Sequence, residues 1–141
     1  MYKKIIFLFV IAIVITSFSS MSFADNTINE DLLSIDGLEY TYISTTVTNL
    51  EITAGGLAEC YASISCYSGT DSVRISAYLE RYSGGTWTTL QHWSENTTGN
   101  YGYMYKEYYV TSGYQYRWRV YYYAYEGDDS ESTSAIDYYT Y

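Results

Sequence analysis

Residues Val110 to Gly127 read V-T-S-G-Y-Q-Y-R-W-R-V-Y-Y-Y-A-Y-E-G, a strand's length of tyrosines, a tryptophan and two arginines in alternation. Successive side chains of a β-strand point to opposite faces, so parity sorts this segment into two sets. Tyr114, Tyr116, Trp118, Val120, Tyr122 and Ala124 share one face, opposite Gln115, Arg117, Arg119, Tyr121, Tyr123 and Tyr125. Aromatic content does not choose between them, but the arginines must stay hydrated or paired, so the first set is expected to face a core.

The same texture continues on either side. From Tyr40 onward, β-branched and aromatic runs are separated by clusters of turn residues, the pattern of an all-β sandwich. Runs are expected at about 41–53, 57–67, 72–82, 86–94, 101–110, 114–125 and 132–140. The intervening turns carry Gly55-Gly56, Ser68 to Asp71, Ser83-Gly84-Gly85, Asn96 to Asn100, Ser112-Gly113 and Gly127-Asp128-Asp129. The chain contains no proline, so these turns rest on Gly, Asn, Asp and Ser. In the third run Val73, Ile75, Ala77 and Leu79 point to the core, and Arg74, Ser76, Tyr78, Glu80 and Tyr82 point away. The fourth run breaks alternation, with Trp87, Leu90 and Trp93 three residues apart, and a bulge is expected to bring them to one side. The fold class that follows is a seven-stranded antiparallel β-sandwich, occupying 41–141.

The N-terminus has a different character. Lys3-Lys4, an apolar run from Ile5 to Ile15, and Ser22-Phe23-Ala24 compose a secretory signal peptide over 1–24 with cleavage expected after Ala24. The alternative is an uncleaved anchor, although the apolar stretch is shorter than the roughly 20 residues of a bilayer span. Residues 25–40 form an acidic tail, or a short helix if that segment docks. The net charge is −9, and loss of Lys3 and Lys4 with the leader makes it two charges more negative. Nucleic acid and anionic lipid are therefore excluded as partners by long-range repulsion. With no lipidation cysteine after the leader, no sorting motif and no second apolar stretch, the chain is expected to be released, without a stable membrane span, as an extracellular protein.

Cys60 and Cys66 share one face of one strand, about 20 Å apart if the strand is unbroken, which is beyond the reach of a disulfide. They are expected as buried thiols, with no intramolecular disulfide; a folded-back strand or an intermolecular bridge are the alternatives. His92 is the single histidine, in L-Q-H-W-S, with no sequence-local carboxylate or nucleophile motif beside it. Glu126-Gly127-Asp128-Asp129-Ser130-Glu131 gathers carboxylates but lacks EF-hand spacing, and is expected to be a solvated hairpin turn. Asn96-Thr97-Thr98 fits a glycosylation acceptor and is expected as a loop. No insertion long enough to build a substrate cleft interrupts the strands. No catalytic residue, metal site or cofactor is expected.

Two resemblances rest on particular residues. Val110, Gly113, Tyr116, Arg117, Trp118 and Val120 resemble the penultimate strand of immunoglobulin-like and fibronectin-III-like sandwiches. That likeness implies that Tyr116 is a tyrosine-corner residue bonded through its hydroxyl to nearby backbone. The chain departs from antibody domains in carrying Trp118 where their second cysteine stands. Over residues 48–141, the pattern of Ala58, Cys60, Leu79, Arg81, Gly84-Gly85, Trp87, Trp93, Gly113, Tyr116-Arg117 and Glu131 is similar to an uncharacterised family of small secreted proteins from Gram-positive, clostridial-type bacteria. This likeness implies a secreted one-domain sandwich and supplies no catalytic residues.

What remains is an aromatic surface. If the third, fourth, sixth and seventh runs share a sheet, Tyr78, Tyr82, Arg117, Arg119, Tyr121 and Tyr123 populate its outer face and are the candidate binding residues. Tyrosine there offers rigid area with a polar tip for a glycan or a protein partner. Alternatively, tyrosine serves only as a strand former that tolerates water, with the arginines covering neighbouring rings and pairing with Glu80. The functional expectation is a secreted non-catalytic binding module, with a structural or self-associating extracellular protein as the alternative.

Overall fold

The computed structural model describes residues 40–141; the expected leader and nearly all of the expected acidic tail lie outside the described residues. Seven strands follow one another: β1 (Ile43–Ile52), β2 (Leu57–Cys66), β3 (Ser72–Ser83), β4 (Thr86–Thr98), β5 (Tyr101–Tyr109), β6 (Gln115–Glu126) and β7 (Asp129–Thr140). They build a three-stranded sheet in the order β1-β2-β5 and a four-stranded sheet in the order β4-β3-β6-β7, with every pairing antiparallel. This is the expected sandwich of the immunoglobulin-like, fibronectin-III-like class. Among the described residues, no helix is long and apolar enough to cross a membrane.

The core forms where the parity argument places it. Ala58, Cys60, Ala62 and Ile64 of β2 face Val73, Ile75, Ala77 and Leu79 of β3 and Tyr116, Trp118, Val120, Tyr122 and Ala124 of β6, all essentially inaccessible. Small side chains on β2 accommodate large rings on β6. Each buried large apolar side chain contributes about 1.5–3 kcal/mol, and each β6 ring also carries a polar atom that burial obliges to find a partner. Trp118 Nε1 donates to Tyr61 O at 3.1 Å, and the Tyr122 hydroxyl donates to Val47 O at 2.6 Å. Both bonds cross to the opposite sheet. Tyr116 is the tyrosine corner, its hydroxyl donating to Thr111 O at 2.5 Å and accepting from Thr111 N–H at 3.1 Å.

Local sequence sets the joints. Gly84 and Gly85 both have positive φ, 59° and 84°, between the paired Ser83 and Thr86, which makes the β3–β4 hairpin the two-residue kind that demands glycine. Gly102 permits a close approach: a Cβ there would lie 2.8 Å from Val73 Cγ2. Any larger residue would push β5 off the core. Cys60 and Cys66 are free and buried on β2, and burial pushes the Cys60 thiol up to about 12.

Three expectations change. A register shift between Leu79 and Glu80 marks a bulge at Leu90 of β4, but it separates the tryptophans instead of uniting them. Trp93, opposite the core residue Ala77, packs edge-on against Trp118 with centroids 5.7 Å apart; Trp87, beyond the bulge, pairs with the outward Tyr82. One extra residue inverts the parity of everything after it. β4 also runs to Thr98, because Thr97 and Thr98 find partners in Val73 and Ser72, so Asn96-Thr97-Thr98 is strand and not loop. Likewise β7 begins at Asp129, paired with Glu126, which reduces the expected acidic turn to Gly127-Asp128.

Replacing Tyr116 with Phe keeps the ring and removes both bonds to Thr111. A loss of about 1–2 kcal/mol is expected from urea unfolding, with an unchanged m-value.

Candidate functional site

β3 and β6 are the two central strands of the four-stranded sheet, and their registers set the outer face. Tyr78 lies opposite Arg119, Glu80 opposite Arg117, Ser76 opposite Tyr121 and Arg74 opposite Tyr123. All six residues singled out from the sequence (Tyr78, Tyr82, Arg117, Arg119, Tyr121 and Tyr123) are on this face. It is far more crowded than a solvated strand face, since Ser76 and Glu80, which point outward, are each only 4% exposed.

Glu80 organises the face. Its Oε2 accepts from Arg117 Nε at 2.6 Å and Arg119 Nε at 3.1 Å; its Oε1 accepts from Arg119 Nη2 at 2.8 Å and Thr89 Oγ1 at 3.3 Å. Two guanidinium groups and one carboxylate thus form a single charge-assisted network. Burial alone would raise the Glu80 pKa, but the hydrogen bonds from Arg119 and then Arg117 outweigh it and hold the carboxyl below its ordinary value. Arg119 is correspondingly held above its usual range, first by its bonds to Glu80.

The aromatic rings are arranged around that network. Arg119 lies over Tyr78 at 4.7 Å and Tyr121 at 5.3 Å, also donating through Nη1 to the Tyr121 hydroxyl. Arg117 lies over Trp87 at 4.3 Å and Arg74 over Tyr123 at 5.2 Å. Tyr78 stacks on His92 at 4.3 Å and meets Tyr121 edge-on. At one end Trp87 touches both Tyr82, at 5.2 Å between centroids, and Tyr138, at 5.9 Å. At that end Tyr82 is 40% exposed and Tyr138 51%; Ile136 and His92 are also exposed along the face, whereas Tyr78, Arg117, Arg119, Tyr121 and Tyr123 are half-buried.

Trp87 and Tyr138 are the residues that sequence reasoning missed. Trp87 was hidden by the bulge, and Tyr138 by the polar Ser/Thr alternation of β7, where its pairing with Arg117 was the available signal. His92 Nε2 lies 3.0 Å from Ser76 Oγ, the spacing of a nucleophile and a base. Ser76 is buried in the sheet, however, and no carboxylate bonds His92 among the described residues. The pair is a hydrogen bond between neighbouring strands of the face.

Glu131, a carboxylate of the acidic segment, has a structural task. It accepts from the backbone N–H groups of Thr41, Tyr42 and Ile43 at 2.8, 2.9 and 2.7 Å, closing the start of β1 onto β7. Burial would raise its pKa, but these three donors prevail and hold it low.

A second tyrosine-rich surface occupies the outer face of the three-stranded sheet, where Tyr101, Tyr103, Tyr105 and Tyr109 of β5 are exposed. Tyr105 donates to Glu59 and Glu107, both at 2.9 Å. A groove of about 540 Å³ runs beside β5, lined by Glu95, Thr97, Tyr101, Gly102, Tyr103 and Tyr105. No protein-family model matches the chain, and no curated protein matches it.

Because Glu80 and Glu131 bind protons more weakly in the folded chain, they stabilise it above the ordinary carboxylate range, and that contribution is lost as the pH falls through their folded values. Urea titrations from pH 7 to pH 3 should show stability declining below about pH 4.5. Glu80→Gln, which leaves two guanidinium groups underpaired, should lose on the order of 2 kcal/mol at pH 7 and show a shallower acid decline.

Proposed function

We propose that the protein is a secreted, non-catalytic binding module, belonging to the uncharacterised clostridial-type secreted family its sequence resembles, and that it contacts an extracellular glycan through the Tyr82-Trp87-Tyr138 end of the four-stranded sheet. The observation that carries this reading is the Glu80 clamp. It holds Arg117 and Arg119 on one carboxylate and fixes Arg117 over Trp87, so the Tyr82-Trp87-Tyr138 end offers rings held in place before any ligand arrives. Rings already fixed before binding lose little conformational entropy when a ligand arrives. Their flat apolar faces suit the non-polar face of a sugar ring, and the phenol oxygens suit its hydroxyl rim.

The rest of the predicted set supports the platform from beneath. Tyr78, Arg119 and Tyr121 hold one another, Arg119 holds Glu80 and Tyr123 lies under Arg74, while Tyr82 is the member that reaches solvent. A protein ligand is the competing outcome for the same surface.

Binding to an array of neutral bacterial polysaccharides tests the assignment. Trp87→Ala and Tyr138→Ala should each weaken binding at least tenfold, equivalent to about 1.4 kcal/mol, while Tyr67→Ala, an exposed tyrosine outside this face, leaves it unchanged. Wild-type protein that binds no glycan, yet is retained by a surface protein of the producing cells through Trp87, would replace the glycan with a protein.

A further inference from the structure

The four sheet edges are treated differently. β1 is tied down at its start and near its end, since Glu131 takes the N–H groups of Thr41, Tyr42 and Ile43, and Asp137 takes that of Leu50 at 2.8 Å. β7 carries those same carboxylates together with Asp129, and β4 has the bulge at Leu90. Charges and bulges are the usual devices that keep an edge from pairing with another chain. β5 has no bulge, and its charges are confined to Lys106 and Glu107 near one end. Its one cation, Lys106, is neutralised by Glu95 at 2.6 Å.

Which β5 groups face outward follows from two bonds. Cys66 N–H donates to Asn100 O at 2.7 Å, and Val110 N–H to Gly56 O at 2.8 Å. Both lie on the β2–β5 register, which pairs Leu57 with Tyr109 and Ser65 with Tyr101. Bonded positions alternate along an antiparallel ladder, so the even-numbered residues of β5 bond to β2. The N–H and C=O groups of Tyr101, Tyr103, Tyr105, Glu107 and Tyr109 are therefore directed to the open edge. The groove between β5 and β4 lies alongside them.

We infer that β5 pairs antiparallel with β5 of a second copy of the chain, about a two-fold axis through Tyr105. Charge and length select that register. Centred on Tyr105, it sets Tyr101 opposite Tyr109, Tyr103 opposite Glu107 and Tyr105 opposite itself, so every outward-directed residue of β5 is paired and no like charges meet. Centring on Lys106 or on Glu107 would place identical charges face to face. Centring on Met104 leaves Tyr109 without a partner. The product is a continuous six-stranded sheet with a tyrosine-rich face. This assembly is independent of the glycan-binding face, which belongs to the other sheet.

Sedimentation equilibrium over a wide concentration range, combined with cysteine cross-linking of purified protein, tests the proposal. The wild type should shift from monomer to dimer as concentration rises. Tyr105→Pro removes an N–H that bonds to nothing within the fold, a position where an edge strand tolerates proline, and should remain monomeric with the wild-type unfolding midpoint. Tyr105→Lys, which opposes two ammonium groups on the axis, should weaken dimerisation at least tenfold. Under mild oxidation Tyr105→Cys should form a disulfide-linked dimer, because directly opposed residues have Cα atoms about 5.5 Å apart. Tyr103→Cys should cross-link at least tenfold more slowly, and the double variant Tyr103→Cys/Glu107→Cys should cross-link readily. A wild type that stays monomeric at millimolar concentration, a Tyr105→Lys dimer as tight as wild type, or equal cross-linking by Tyr103→Cys and Tyr105→Cys would overturn it.

Discussion

β6 has to satisfy opposite demands on its two sides, and the molecule is organised around how it does so. On one side Tyr116, Trp118 and Tyr122 are buried completely, which is favourable for their rings and costly for their polar atoms. The cost is met by bonds to Thr111, Tyr61 and Val47, two of which reach across to the other sheet. The same side chains that fill the core thereby tie the sheets together. On the other side Arg117 and Arg119 are only half-exposed, and a half-exposed guanidinium needs a counter-charge. Glu80, one strand away and in register, supplies it to both.

That pairing shapes the outer face. A carboxylate that is 4% exposed would be unfavourable on its own, and its two partners cannot swing away without leaving it unpaired. Once fixed, each guanidinium lies over a ring: Arg119 over Tyr78 and Tyr121, Arg117 over Trp87. The face is then an extension of the folded structure. Its exposed tyrosines, Tyr82 and Tyr138, flank Trp87 at one end. The arginines, which from composition alone look like ligand-binding cations, act as internal supports.

Parity explains both what the sequence revealed and what it hid. β2, β3 and β6 alternate without interruption, so their core and outer residues and the burial of Cys60 and Cys66 could be read directly, while the tyrosine corner was implied by the likeness of the Val110–Val120 segment to immunoglobulin-like sandwiches. β4 could not, because the bulge at Leu90 reverses parity midway and sends Trp87 outward and Trp93 inward. The ends of β4 and β7 were hidden for another reason. Asn and Asp disfavour strands locally and Asn96, Asn100, Asp128 and Asp129 mark these ends as turns, yet neighbouring strands recruit Thr97, Thr98 and Asp129 into their ladders. Glu131 is a third case: its bonds to β1 span 88 to 90 residues of sequence, and no local pattern announces them.

The side-chain Nε–H groups of Arg117 and Arg119 report most directly on whether the outer face is locked. In ¹⁵N NMR at neutral pH, both should give resolved signals in slow exchange with water and order parameters near the roughly 0.85 of rigid backbone. Both signals should collapse together in Glu80→Gln. Signals averaged and exchanging like those of a free arginine, in wild-type protein at neutral pH, would contradict the clamp and the preorganised face that rests on it.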